Sequence, residues 1–499
     1  LFNLFVYLLN KMKKKIIIIG SGFSSLSASC YLAKEGYDVT ILEKNSSVGG
    51  RARLLTKDGF KFDIGPTWYW MPDVFEKFFT DFKKKPSDFY DLEKLAPAYQ
   101  VYFDQLDSLL ISDKIEEIYQ VFENEEKGSS VYLKKFLKAA KFNYEVAVNN
   151  LVYKPGNSIT ELVTFQTIAN VNQFFKSISA EVRGQIKSEK LIQNFGVSCV
   201  VFRRKNLQIP QVFYSFMNYA DFGLGTWHPK GGMYEVVKGF VTLAEDLGVN
   251  IETNQNVDKI VVENGIVKGV QVNNQFMSAD FVVSGADYHH SETLLDEKYR
   301  MYSEKYWNKR TFAPSALLFY VGFSKKLKNV SHHTLFFDSN FDKHAVEIYD
   351  TPQWPKDPLF YGSFPSITDD SFAPNGFEAA TFLIPIAPGI NDIPEIREEY
   401  FQKIIDRLEK LTDQNIKDFI IFKESYCVND FVKDYNSFKG NAYGLANTLM
   451  QTAFLRPKIR SKKVKNLFFT GQLTVPGPGV PPAIISGKIV SELLMKSSK

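Results

Sequence analysis

An α/β architecture, α+β overall, is the fold class this sequence predicts, and three observations predict it. Four successive isoleucines, Ile16 to Ile19, precede a glycine turn, helix-periodic sequence as far as Gly36 and a second apolar run from Val39 to Leu42, which together read as a β-α-β unit. Strand-like sequence returns only at Val249, and again at Leu467 to Phe469 ahead of a final helix, so the parallel domain is assembled from separated segments. The length is the third: 499 residues exceed one simple core at about 100–200 residues per domain, so two or three interleaved domains are expected. With 44% hydrophobic and 23% charged residues the chain is ordinarily globular, which excludes disordered, collagen-like and coiled-coil classes. Lys+Arg 60 against Asp+Glu 56 leaves a net +4, too balanced to imply a nucleic-acid partner. The 44 Phe and 25 Tyr imply much flat apolar surface to bury.

Taken along the chain, the first ten residues are apolar and are followed by Lys11, Lys13, Lys14 and Lys15, the reverse of a signal peptide's order. Translation is therefore expected to begin at Met12, with residues 1–11 an upstream extension; a surface anchor is the alternative. No stretch reaches the ~18 apolar residues of a spanning helix. Asp73 to Phe222 is rich in Phe, Lys and Glu at helical spacing and carries no nucleotide motif, so it is assigned to another, helical region. Strands are expected at Val249 to Ile251, Val257 to Val262, Ile266 to Val272 and Phe281 to Val283, with Glu263-Asn264-Gly265 a hairpin turn. Residues from about 300 to 455 read as mixed, with Thr351 to Asn391 loop-rich. Cys30, Cys199 and Cys427 make neither a disulfide framework nor a metal-ligand spacing, which points to a reducing, cytoplasmic compartment.

Gly20-Ser21-Gly22-Phe23-Ser24-Ser25 follows a strand and opens a helix, the context a dinucleotide fingerprint requires. Gly20 permits the tight turn, and Gly22 lets backbone approach a pyrophosphate on the helix N-terminus. Ser25 replaces the third glycine, is small enough for close helix–strand packing, and is counted with Gly20 and Gly22 among the cofactor-binding residues. Glu43 ends the second strand, where a carboxylate accepts hydrogen bonds from ribose hydroxyls. Gly49-Gly50-Arg51 adds a second close backbone approach and a guanidinium for the phosphates. The domain is thus Rossmann-like.

Gly20 to Arg51, followed by Asp63-Ile-Gly65-Pro66-Thr67, resembles the flavoprotein superfamily of amine oxidases, protoporphyrinogen oxidases and carotenoid desaturases. Within it the chain resembles the bacterial-type phytoene desaturases, from about residue 13 to 495. The blocks that carry this are Gly65-Pro-Thr-Trp-Tyr-Trp-Met-Pro-Asp73, Met217-Asn-Tyr-Ala-Asp221, Gly225-Thr-Trp-His-Pro-Lys-Gly-Gly-Met233, Val283-Ser-Gly-Ala-Asp287 and Gly471 to Pro482. The last has three glycines and four prolines, a rigid loop whose following helix N-terminus can face an electron-rich ring edge. The resemblance implies FAD as cofactor, held by residues 12–75, 225–295 and 460–495, with Val257 among the cofactor contacts and Gly471, Val480 and Pro481 around the isoalloxazine. It also implies a helical, membrane-facing insertion at 76–224 and a mixed sheet and helix substrate-binding domain at 296–459. The activity implied is FAD-dependent desaturation of phytoene towards lycopene through partly desaturated carotenes, with oxygen or a quinone reoxidising the flavin. A C30 desaturase, a carotene isomerase, an amine oxidase and a non-catalytic flavin- or polyene-binding protein are the alternatives.

Trp68, Tyr69 and Trp70 cannot all enter one core from one strand face, so some are expected to line a substrate tunnel, with core packing as the rival. No proton-accepting carboxylate dyad is evident. His228 is the one histidine inside a family-like block and a weak acid–base candidate, a structural hydrogen bond being the preferred role. His289-His290 and His332-His333 lack metal-ligand spacing, so no metal is expected. Arg203-Arg204-Lys205 could meet a lipid headgroup, although a solvated turn is the default. An insoluble hydrocarbon substrate implies peripheral association with the inner face of the cell membrane.

Overall fold

The computed structural model of the chain describes residues 13–162, 178–195 and 211–498. The upstream extension, Cys199 and Arg203 to Lys205 lie outside the described residues. Lys15–Ile19 forms the central strand of a five-stranded, wholly parallel sheet. Its order is Leu467–Phe469, Phe281–Ser284, Lys15–Ile19, Asp38–Leu42, Asn250–Glu252. Because the chain leaves the central strand first to one side and later returns on the other, this strand is the topological switch point, where open α/β sheets bind ligands. Helix Phe23–Lys34 connects it to Asp38–Leu42 and is buried against Met233–Asp246 and the last helix, Val480–Ser498. The expected hairpin is present: Val257–Glu263 and Ile266–Val272 pair antiparallel, and Gln275–Ser278 adds a third strand.

The second layer is a seven-stranded sheet in the order Ile420–Tyr426, Ser315–Phe323, Glu378–Ile386, Phe360–Ser363, His333–Phe336, Tyr99–Asp104, Asp107–Ile111. Two sequence-based expectations change here. The region 76–224 is not purely helical: Tyr99–Asp104 and Asp107–Ile111 leave it to complete the sheet built from 296–459, through parallel pairing of Thr334 with Gln100. The loop-rich stretch Thr351 to Asn391 supplies Phe360–Ser363 and the nine-residue strand Glu378–Ile386. A strand buried on both faces reads as a continuous apolar run rather than an alternating one, so Ala379 to Ile386 carried no period-two signal. One face of this sheet, with Leu317, Phe319, Phe382 and Phe360, packs on helix Pro394–Thr412 through Tyr400, Phe401, Ile404 and Leu408. The other face turns towards the nucleotide domain. Among the described residues no helix is long and apolar enough to cross a membrane.

Candidate dinucleotide cleft

All five strands of the parallel sheet deliver residues to one cleft at their carboxyl ends: Gly20 to Ser24, Glu43 to Asn45, Gly285 to Tyr288, Thr470 to Leu473, and Gln255 to Val257. The cleft encloses about 1660 Å3, counting space open to solvent. Ala316, Leu318 and Leu383 of the seven-stranded sheet form its far wall, and Val480 opens the last helix at its rim.

Gly20 has φ of 86°, the left-handed turn that favours glycine, and its N–H donates to Leu42 O at 2.8 Å. Gly22 caps helix Phe23–Lys34 without any side-chain hydrogen bond, which leaves the helix's first N–H groups facing the cleft. A Cβ on Gly50 would stand 3.2 Å from Gly22 Cα, so the two glycine segments touch through bare backbone. Ser25 does not line the cleft; it is fully buried, and a Cβ on Gly285 would sit 2.0 Å from its Oγ, so its small size sets the helix–strand spacing.

Glu43 is buried and already engaged: Oε2 accepts from Ser21 N at 2.9 Å and Ser21 Oγ at 2.7 Å, while Oε1 accepts from Asn45 N and Nδ2 at 2.9 Å each. Arg51 donates through Nη2 to Ser437 Oγ at 2.9 Å and Asn441 O at 3.2 Å, and its guanidinium lies 5.0 Å over the Tyr435 ring. Burial lowers its pKa from the usual value. Asp287 caps the next helix by accepting from His289 N at 3.0 Å, and burial raises its carboxyl above the usual range against the opposing pull of Arg51. Two buried polar atoms of the cleft wall, Arg51 Nε and Asp287 Oδ2, have no protein partner. A donor and an acceptor left open at the glycine-lined helix N-terminus suit a ligand carrying phosphate and hydroxyl groups. Val257, Gly471 and Val480 line the same cleft, whereas Pro481 is not among the lining residues.

A parallel sheet whose every carboxyl end meets one glycine-walled cleft, extended by Gly49 to Arg51 and closed by a second sheet, defines a dinucleotide-binding flavoprotein oxidoreductase. The model of the flavin containing amine oxidoreductase family matches residues 23–495, and the chain belongs to this family, among its carotenoid desaturases, with FAD as cofactor. It is 40% identical over 485 residues to the carotenoid 3,4-desaturase of Haloarcula japonica, covering 96% of this chain and 98% of that one. It is 31% identical over 503 residues to the 4,4'-diapophytoene desaturase (4,4'-diaponeurosporene-forming) of Staphylococcus aureus, covering 97% and 99%. The zeta-carotene-forming phytoene desaturase of Myxococcus xanthus is 28% identical over 492 residues, at 97% and 94% coverage. Among solved structures, an oxidoreductase from Methanosarcina mazei matches with a TM-score of 0.61 at 17% identity, covering 96% of this chain and 100% of that one. Putrescine oxidase matches with a TM-score of 0.61 at 12% identity, covering 97% and 99%, so both share the fold.

The aromatic triplet is divided by the fold. Tyr69 is core: it stacks on Phe75 at 4.2 Å and its hydroxyl meets Tyr90 Oη at 2.9 Å. Trp68 and Trp70 are half-buried with rings 4.9 Å apart, beyond Pro66, where the cleft's lining ends on this segment; Trp70 packs against the same core cluster as Tyr69 and Trp68 against the neighbouring one. Trp70 Nε1 donates to Thr226 Oγ1 at 2.8 Å, and Trp68 stacks on His333 at 4.0 Å. His228 is buried and hydrogen-bonded to Asp369 Oδ2 at 3.0 Å. Burial alone would raise Asp369; the bonds from His228, Gly231 N and Ser371 outweigh it and hold the carboxyl well below the usual carboxylate range. His290 lines the cleft and meets Asn436 Nδ2 at 3.1 Å. Among the described residues no group of three or more His, Cys, Asp or Glu could hold a metal ion. Sequence reasoning assigned no role to Asp287, although it had singled out the block containing it, and missed Leu318 and Leu383, which carry only the signal of a buried strand.

Proposed function

We propose that this chain is an FAD-dependent carotenoid desaturase that removes two hydrogens from a carbon–carbon bond beside conjugated double bonds, acting on phytoene and partly desaturated carotenes towards lycopene. The observation that carries this reading is the apolar far end of the cleft: Ala316, Leu318, Leu383, Ile64 and Pro66 oppose Val480, a wall that can hold a hydrocarbon and offers an amine no counter-charge. The acidic and basic cleft residues, Glu43, Lys44, Arg51, Asp287, His290 and Asp434, come from the nucleotide-binding segments and helix Val428–Tyr435, while the phenols Tyr288, Tyr435 and Tyr443 also line the cleft.

Bound FAD supplies the two-electron acceptor that takes the hydride. Gly20 to Ser24 would hold its pyrophosphate, Glu43 and Val257 its adenosine half, and Gly471 and Val480 its ring system. Positioning is the main contribution expected of the protein, since a polyene has no polar handle. The higher identity to a carotenoid 3,4-desaturase than to the phytoene desaturases favours, as a second reading, a substrate that is already conjugated. Peripheral docking to the inner face of the cell membrane, from segments between Asp73 and Phe222 or Tyr302 and Met450, is supported by the insolubility of such a substrate. Reoxidation then falls to oxygen or a quinone.

The test is expression in cells that accumulate phytoene and, separately, partly desaturated acyclic carotenes, with pigment spectra as readout. New longer-wavelength chromophores are expected. Unchanged pigment in every strain, from a chain that retains FAD, would overturn this reading and leave the C30 desaturase and the non-catalytic polyene-binding alternatives. Absence of liposome flotation at any salt would sink the membrane proposal.

A further inference from the structure

Desaturation releases a proton as well as a hydride, and the cleft-lining carboxylates Glu43, Asp287 and Asp434 belong to the nucleotide-binding segments and helix Val428–Tyr435. Directly opposed residues of antiparallel strands project to the same face of a sheet. Leu318 opposes Leu383, Leu383 opposes Tyr361, and Tyr361 opposes Leu335, so one row runs across the seven-stranded sheet. Leu318 and Leu383 line the cleft. Tyr361 is therefore the next side chain outward from the cofactor end and the first polar one in that row, and it remains half-buried.

Its hydroxyl is held on two sides. Thr67 Oγ1 lies at 2.8 Å, one residue beyond the cleft-lining Pro66, and His333 Nδ1 at 2.6 Å. Burial raises the Tyr361 hydroxyl well above its usual range, so it stays protonated and must pass on any proton it takes. His333 is completely buried, with Trp68 stacked on its ring at 4.0 Å and 11°. Burial, then neighbouring His228, pushes its pKa well below the usual value, so the imidazole is a weak base. Its Nε2 has no partner in the protein.

We propose that Tyr361 is the proton acceptor of the desaturation, relaying to His333, an assignment that rests on the desaturase reading. As hydride leaves one carbon for FAD, the electron pair of the adjacent C–H bond becomes the new π bond. That proton passes to Tyr361 Oη while the phenolic proton moves to His333 Nδ1. The imidazolium so formed is disfavoured by burial and has the face of Trp68 beside it, so it is short-lived. It is discharged when the reoxidising acceptor, oxygen or quinone, takes up two electrons and two protons. A C–H bond beside a delocalised carbocation is so acidic that a weak, buried base suffices.

The experiment uses FAD-loaded protein with phytoene in liposomes. Tyr361→Phe should keep FAD content and carotene binding, read from tryptophan fluorescence quenching, within about twofold, while kcat falls about 100-fold and KM holds. His333→Ala should fall similarly, and added imidazole should restore at least about tenfold of the lost rate by filling the space beside Trp68. Tyr361→Phe with more than half the wild-type kcat overturns the assignment; so does a loss of rate that tracks loss of FAD or carotene binding and is not rescued by imidazole. A wild type that dehydrogenates neither phytoene nor its partly desaturated products overturns the desaturase reading, and the relay with it.

Discussion

Truncating Glu43 separates two roles that the fold has combined in one carboxylate. Its four lone-pair positions are taken by Ser21 N, Ser21 Oγ, Asn45 N and Asn45 Nδ2, all between 2.7 and 2.9 Å. The two side-chain donors can swing away to admit ribose hydroxyls; the two backbone N–H groups cannot. Glu43→Ala therefore strands the buried Ser21 N–H, at a cost of about 1–3 kcal/mol to the FAD-free protein, while half-buried Asn45 recruits water. It also removes a charged acceptor for the ribose, about 1.5–3 kcal/mol, with the lower end expected because ribose binding exchanges existing bonds rather than adding new ones. At 1.4 kcal/mol per tenfold, this is about a 10- to 150-fold rise in the FAD Kd. Urea denaturation of the FAD-free protein gives the first quantity, and titration by flavin fluorescence the second. A variant that loses stability but binds FAD with unchanged Kd would refute the ribose assignment and leave Glu43 as a support for the turn; unchanged stability would refute the count of bonds.

Three further outcomes follow from the same geometry. Gly285→Ala places a Cβ 2.0 Å from Ser25 Oγ, so about 1–3 kcal/mol of stability should be lost in denaturant melts and regained in the Gly285→Ala, Ser25→Gly double variant; simple additivity would disprove the contact. Tyr69→Phe should cost about 0.5–1.5 kcal/mol through its bond to Tyr90 and leave carotene products unchanged, whereas Trp70→Ala should shift the ratio of partly desaturated products with FAD content held; an unshifted ratio makes Trp70 packing only. Asp221 is fully buried, burial raising its carboxyl to about 7 against the bond from Tyr99 Oη at 2.9 Å. A folded pKa above the unfolded one means the stabilisation is complete below about pH 3.9 and is lost as pH rises to about 7, so Asp221→Asn should flatten that decline, by a few kcal/mol in order of magnitude. A slope of stability with pH identical to wild type would show that Asp221 does not titrate there.

What the sequence determined by itself is the nucleotide half. Strand, glycine turn, helix N-terminus and acid sit between Lys15 and Glu43, where turn chemistry and the 3.6-residue period act locally, and Gly20, Gly22, Glu43, Gly49, Gly50 and Arg51 reach one cleft, as do Val257, Gly471 and Val480, which the family resemblance rather than local pattern implied. Ser25, expected from its motif position among the cofactor contacts, is instead buried behind the turn and only sets the helix–strand spacing. The tertiary structure decided the rest, because strand partners far apart in the chain are chosen by which faces can be buried together. Tyr99–Asp104 lies beside His333–Phe336, so the boundary expected between 76–224 and 296–459 is crossed by a sheet. That sheet sends Leu318 and Leu383 to the cleft and Tyr361 beside them, a row that no local pattern encodes. Three adjacent aromatics met a similar fate: Tyr69 pairs with Trp227 in an isolated bridge and is fully buried, while Trp68 and Trp70 stay half-buried with their rings together, since alternation along an extended segment sends neighbours apart while only the surrounding layers decide how deeply each is buried.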